Sequence, residues 1–236
     1  MKRAVLATFF LVALSCLAWA QHGEKPSISP EQALQMLKDG NTRFTEGKRT
    51  YVHQDSARLR ETAEKGQTPF VTVLACSDSR VPVEHIFDAG VGDIFVIRIA
   101  GNTCNLDQAA SLEYGAEHLR TPLIVVMGHT GCGAVRATVE DAKLTGNEPE
   151  ILRKIKPAVE RTKAKNDKLS GVQLCDAVST ENVWLAMEDI LKTSHLIRDL
   201  VRKGEASLVG AIYDINTGKV VFLGPHRDEK KLLGEK

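Results

Sequence analysis

The chain predicts an α/β domain: a mostly parallel central sheet flanked by helices on both faces, with an antiparallel strand added at the C-terminal end. Three observations carry that prediction. Short runs of β-branched and apolar residues alternate with segments of helical period, the order expected of a layered α/β fold. The first runs are apolar without a break, as strands buried on both faces are. The last two are joined by a compact polar turn, the mark of an antiparallel hairpin. No internal repeat, low-complexity tract or linker divides the sequence. With 236 residues, 43% hydrophobic and 26% charged, the chain can bury one sizeable core.

The first twenty residues read as an export signal. Lys2 and Arg3 form a short positive region, residues 4–17 are almost uninterruptedly apolar, and Ala18-Trp19-Ala20 is a small-x-small cleavage pattern before Gln21. A membrane anchor would need about 20 apolar residues. No stable membrane insertion is therefore expected once the signal is cleaved after Ala20. Cys16 follows Ala13-Leu14-Ser15, a poor match to a lipid-attachment pattern. The expected product is periplasmic or otherwise extracytoplasmic. Residues 21–28 read as a flexible leader and residues 29–236 as the single domain.

Within that domain, Ser29-Pro30-Glu31-Gln32 is a capping box with proline at the first helical position. Ala33, Leu34 and Leu37 continue as an apolar stripe. Gly40 weakens the helix, which ends near residue 39 or, if Phe44 packs, near 46. A second helix is predicted over 55–65. Residues 68–75 form the first buried strand and deliver Cys76 at its C-terminal end. A short helix over 82–89 precedes the second strand at 93–99. A helix over 106–119 leads to the third strand, 122–127, with His129 directly after it. Gly131-Cys132-Gly133 then turns the chain into a helix reaching about residue 141. The charged helix over 148–166 is expected to kink or divide at Pro157. Val183, Trp184, Met187, Ile190 and Leu191 form the packed face of a helix over 177–192, and Ser194 caps the next one. Strands at 207–213 and 219–223, joined by Asp214-Ile215-Asn216-Thr217-Gly218, make the hairpin.

Charge excludes some partners. The chain has 31 Lys and Arg against 30 Asp and Glu; without the two basic residues of the signal, 29 face 30. Nothing there favours nucleic acid or an anionic membrane. Four cysteines remain after cleavage: Cys76, Cys104, Cys132 and Cys175. An exported chain can form a Cys104 to Cys175 bridge while the other two bind metal; buried free thiols are the alternative.

Chemistry concentrates in Cys76-Ser77-Asp78-Ser79-Arg80 and His129-Thr130-Gly131-Cys132. In an open parallel sheet, loops at the carboxyl ends of strands converge on one crevice. Cys76 and His129 each follow such a strand, and Cys132 lies one short turn further on. Two thiolates and an imidazole suit Zn2+. Three protein ligands leave a fourth position, which water fills in a catalytic site. Asp78 is either the partner of that water or, in a closed state, the fourth ligand. No CxxC pair and no second cysteine pair argue for redox exchange or a zinc ribbon.

These motifs resemble the beta class of carbonic anhydrases. The resemblance spans roughly residues 30–223 and includes Gly92-Asp93-Ile94-Phe95-Val96-Ile97-Arg98, Ala100-Gly101-Asn102, Ser111-Leu112-Glu113-Tyr114 and Gly210-Ala211-Ile212-Tyr213-Asp214. It implies a zinc-dependent lyase, a carbonate dehydratase, converting carbon dioxide reversibly to bicarbonate and a proton through zinc-bound hydroxide. It implies Cys76, His129 and Cys132 as metal ligands, and Asp78 and Arg80 as the catalytic dyad beside the fourth position. It also implies a homodimer or a dimer of dimers. Many members place a substrate-contacting Gln before the second strand; this chain reads Asp88-Ala89-Gly90-Val91-Gly92 there, so that role does not transfer. His85 and His118 are candidates to carry protons outward. Two thiolates cancel the charge of Zn2+, so such a site acidifies water less than three neutral imidazoles do, and activity is expected to rise toward alkaline pH.

Overall fold

The computed structural model describes residues 28–235. The expected export signal at 1–20, and all but the last residue of the expected leader, lie outside the described residues. Five strands, β1 (Val71–Ala75), β2 (Ile94–Arg98), β3 (Leu123–His129), β4 (Ser207–Tyr213) and β5 (Val220–Gly224), form one sheet in the order β2-β1-β3-β4-β5. The first four run parallel and β5 runs antiparallel to β4, as the sequence predicts. The period-2 alternation of the strands feeds two cores. Val71, Val73, Ala75, Leu123, Val125 and Met127 face one side, where α1 (Pro30–Thr45) and α3 (Val83–Ile86) pack. Leu74, Ile124, Val126 and Leu208 face the other, against α4 (Leu106–Glu113), α7 (Gly171–Thr193) and α8 (His195–Arg202). A third apolar cluster joins α5 (Gly133–Val139), α6 (Glu148–Lys165) and α7, and it contains Cys76 and Cys132.

The strand order has one reversal. β1 leads to β2 on one side, and the chain then crosses back to place β3 on the other side of β1. A crevice opens at the carboxyl ends of strands at such a point. Residues at the ends of β1 and β3 therefore meet without any local sequence relation.

Several elements differ from their predicted form. The first helix takes the longer of its two predicted lengths, to Thr45 with Phe44 packed on the core, and it runs across Gly40 because that glycine is a contact point, not a stop. A Cβ there would lie 1.9 Å from the Phe87 carbonyl oxygen. Asn41, next in line, is buried and bonds across the fold: its amide donates to the Gly218 oxygen at 2.8 Å and the Ile86 oxygen at 3.2 Å, and its oxygen accepts from Val220 N–H at 2.9 Å. Helix α2 (Ser56–Lys65) lies as predicted, capped by Asp55. The helix expected over 106–119 is α4 followed by a wider π turn, Tyr114–His118. That turn sets Gly115 against β1, where a Cβ would meet Thr72 Oγ1 at 2.2 Å. Pro157 does not divide α6 into two helices; Ile155, Ala158, Val159 and Thr162 are buried on either side of it within one helix. Helix α7 begins six residues before its predicted start, burying Leu174 and Cys175. Ser194 caps α8 as expected, accepting from Ile197 N–H at 3.0 Å. A last helix, α9 (Glu229–Leu233), was not legible; Arg202 holds it through two bonds to the Leu233 oxygen.

The Cys104 to Cys175 bridge does not form. All four described cysteines are free and buried. Cys104 packs in the cluster under α4 and α7, whereas Cys175 faces α5 and α6, so the two thiols belong to different layers.

Candidate metal centre

Cys76 leaves the end of β1, whose five residues are all buried. His129 does not follow β3, as the sequence suggests, but is its last residue, paired in register with Tyr213 of β4. The parallel ladder therefore fixes its backbone. Cys132 sits two residues past Thr130 as the N-cap of α5, with Gly131 at φ +65° making the turn between them. The Cys76 and Cys132 sulfurs and a ring nitrogen of His129 lie within 4.8 Å of one another, all three residues buried.

The tautomer of His129 follows from its partner. Its Nδ1 lies 2.9 Å from the Thr130 carbonyl oxygen, and a carbonyl only accepts, so Nδ1 carries the proton. Nε2 is left with a lone pair, is buried and has no hydrogen-bond partner among the described residues. A buried acceptor without a partner is costly unless something fills it. It is 3.9 Å from Asp78 Oδ2.

The neighbouring Cys132 sulfur lowers the Cys76 thiol against the opposing effect of burial, with help from His129 and from backbone groups of Asp78 and Gly101. The Cys132 thiol is pushed up by Cys76 and by burial. A cation here would displace the thiol protons and bind two thiolates. The buried nitrogen lone pair and the two soft sulfurs make a donor set that fits a metal ion.

Asp78 and Arg80 are brought to the mouth of this centre. Arg80 Nε donates to Asp78 Oδ1 at 2.9 Å and Nη2 to Oδ2 at 2.7 Å, and the Arg80 backbone N–H also reaches Oδ1 at 2.9 Å. This fork holds the Asp78 carboxyl well below the usual carboxylate range. Arg80 Nη2 also reaches the Gly131 oxygen at 3.2 Å, tying the two motif loops together.

Some residues at the centre escaped sequence reasoning. Arg98 closes β2 and donates from Nε to the Cys76 oxygen at 3.0 Å and from Nη2 to the Asp78 oxygen at 2.6 Å, clamping the loop between them. Asp176 of α7 accepts from Gly131 N–H at 3.3 Å. Their signals are faint: a charge ending an apolar strand, and an acid in a helix that is otherwise largely buried. Other residues named from sequence lie elsewhere. His118 stacks on Tyr114 at 4.6 Å, and His85 is exposed on α3. The Asp88 carboxylate, where a substrate-contacting Gln would stand, is fully buried and bound by Arg43 and by the Thr50 and Tyr51 N–H groups. It is committed to holding the chain between α1 and α2.

Comparison with known proteins places this arrangement in context. A family model described as "Carbonic anhydrase" matches residues 71–220. "Carbonic anhydrase 2" of Mycobacterium tuberculosis (strain H37Rv) is 34% identical over 214 residues, covering 89% of this chain and 99% of that protein. "Carbonic anhydrase" of Mycolicibacterium smegmatis is 33% identical over 83% of this chain and 94% of its own length. Among solved structures, the beta-carbonic anhydrase CcaA superposes with a TM-score of 0.64 at 31% identity, covering 81% of this chain and 99% of that one. The beta-carbonic anhydrase CafA of Aspergillus fumigatus gives 0.68 at 25% identity, with 86% and 96% covered.

Proposed function

The chain belongs to the beta-class carbonic anhydrase family and is an enzyme of that kind, and from that premise we propose that it interconverts carbon dioxide and bicarbonate at a zinc ion held by Cys76, His129 and Cys132. The observation that carries this reading is the orphaned Nε2 of His129, aimed with two sulfurs into one buried point. Tetrahedral zinc at about 2.3 Å from sulfur and 2.0–2.1 Å from nitrogen sets its ligand atoms roughly 3.5–4 Å apart, within the spacing found here. Zinc bound there would act as a Lewis acid that makes hydroxide available from water near neutral pH, the nucleophile for carbon dioxide.

The chain's own residues supply position and charge. Asp78 accepts a hydrogen bond from the attacking oxygen's hydrogen and so turns a lone pair toward carbon. Arg80 occupies both Asp78 oxygens; this keeps the carboxylate ionised and away from the metal, and it favours the open site over one closed by Asp78. His129, with Nδ1–H spent on Thr130, presents only Nε2 inward. The proton released on hydration leaves to solvent past the exposed Arg80 and Gly131.

The deciding experiment is stopped-flow hydration of carbon dioxide by the mature chain, from pH 7 to 9, with zinc content measured in the same sample. Rapid zinc-dependent turnover that rises with pH is expected. Full zinc occupancy without turnover across that range overturns the catalytic reading and leaves a zinc-stabilised binding protein.

Export and assembly belong to the same proposal. Support for export is the three-part pattern of residues 1–20. Support for a homodimer, or a dimer of dimers, is the open edge of β2, beside which Val91 and Tyr114 are exposed. Unpaired strand edges are usually covered.

A further inference from the structure

Helix α7 carries one residue out of keeping with its surroundings. Asn182 is 1% exposed, next to Val183 and one turn from Val178 and Ala186, all buried. A primary amide in such a place destabilises the fold unless it is bonded. Its Nδ2 donates to the Gly101 carbonyl oxygen at 2.7 Å. In the same turn, Gly101 N–H donates to the Cys76 sulfur at 3.3 Å. Both bonds are buried, and they link α7 to a metal ligand through one glycine.

The turn is held in this geometry from several sides. Gly101 has φ +70°, a conformation that suits glycine. A Cβ there would meet Ile155 Cδ1 at 2.6 Å and Ala134 Cβ at 3.4 Å. Asn102 N–H closes the turn on the Ile99 oxygen at 3.0 Å. The Gly101 carbonyl shares its peptide plane with the Asn102 N–H; Asn182 holds that plane at its oxygen while Ile99 holds it at its nitrogen, and together they fix the Gly101 backbone angles at which its own N–H meets the Cys76 sulfur.

An N–H donor on a thiolate ligand draws charge from the sulfur. A site with two thiolates donates a full formal charge to its metal from each, which weakens the metal as a Lewis acid. We propose that Asn182 is a positioning residue for the metal centre: by fixing the Gly101 carbonyl it aims the Gly101 N–H at the Cys76 sulfur and limits the charge that Cys76 donates to the metal. The inference rests on Cys76 being a metal ligand, as proposed above.

The test begins with the unaltered protein, loaded with cadmium-113 in place of zinc and examined by proton-cadmium correlation NMR. Scalar coupling from cadmium to the Cys76 β-protons and, through the hydrogen bond, to the Gly101 amide proton is expected. Coupling to the Cys76 β-protons without any to Gly101 overturns this inference alone. No coupling to Cys76 at all overturns the ligand assignment beneath it. The part played by Asn182 is read from Asn182→Leu, similar in size but without a donor, loaded with cobalt(II). Loss of the aimed N–H raises the sulfur lone pairs, so the thiolate-to-cobalt charge-transfer band is expected to move to longer wavelength with the metal ratio unchanged. A band that stays in place in the folded, fully loaded variant shows that Asn182 merely anchors α7 to the turn. If Asn182→Leu does not fold, the same reading is taken from Asn182→Ser, which keeps a donor too short to reach: an unmoved band there overturns the proposal.

Discussion

Arg80 reaches both oxygens of Asp78, and that contact decides what the carboxylate can do. An acid held by a guanidinium fork stays ionised at any working pH and accepts hydrogen bonds rather than donating protons. Asp78→Asn keeps the shape but exchanges an acceptor for a donor beside the metal. Its hydration rate is expected to fall by about 10²–10⁴-fold, with zinc retained in equal ratio. Loss of zinc in that variant would instead make Asp78 a ligand and support the closed site. Cys132→Ala acts on a different atom: it removes one of the two sulfurs at the centre, so zinc content and thermal stability should fall together. Metal analysis alongside a melting curve separates the two cases.

At the scale of elements, the fold depends on places where backbones touch. Helix α1 docks on the end of α3 at Gly40, and its neighbour Asn41 ties it to the α3 end and the β4–β5 hairpin. Gly40→Ala drives a methyl into the Phe87 carbonyl, which no side-chain rotation relieves. It is expected to destabilise the protein by at least about 1–3 kcal/mol, measured as a drop in the urea midpoint. Asn41→Ala leaves the buried Ile86 carbonyl, the part-buried Gly218 carbonyl and the Val220 N–H without their partner, at a cost of about 1–3 kcal/mol. Neither change touches the metal centre, so zinc content should be unaffected in the folded fraction. The glycine-to-backbone contact explains why helix propensity left the end of α1 open between two positions: propensity weighs one residue at a time, whereas the glycine here answers to a carbonyl 47 positions away.

At the scale of the molecule, buried acids set the response to pH. Burial pushes the Glu188 carboxyl up, but bonds from Arg161 and Lys192 outweigh it and bring it to about 2. Asp88 is likewise raised by burial and lowered further by Arg43 and the Thr50 groups, with a net fall. Both groups bind protons more weakly folded than unfolded. Their stabilisation is complete above the unfolded carboxyl values of about 4–4.5 and is lost as pH falls through the lower folded values. Through these two carboxylates, urea midpoints should decline steadily from about pH 4.5 toward pH 2. Replacement of Glu188 by Gln should flatten part of that decline. Assembly and export are tested on the intact protein: sedimentation is expected to give twice the chain mass or four times it, and the secreted product to begin at Gln21. A monomer at micromolar concentration, or an uncleaved product, overturns the respective reading.

The Cys76, His129 and Cys132 cluster and the sheet were legible because each rests on a local pattern. Unbroken β-branched runs betray strands buried on both faces, and the Cys76, Asp78, Arg80, His129 and Cys132 set stands in two short motifs whose donor types point to a metal. Cap signals at Ser29 and Ser194 were equally local, and both bonds are present. What the tertiary structure alone decided depends on partners far along the chain. The bidentate hold of Arg80, the tautomer of His129, the clamp of Arg98 and the bond from Asn182 to Gly101 are questions of distance and angle, which spacing does not encode. The same holds for Pro157, flanked by buried residues within α6, for Cys104 and Cys175, separated into different layers, and for Asp88, turned inward to bind Arg43. A residue type limits the bonds a side chain can make; packing chooses which of them it makes.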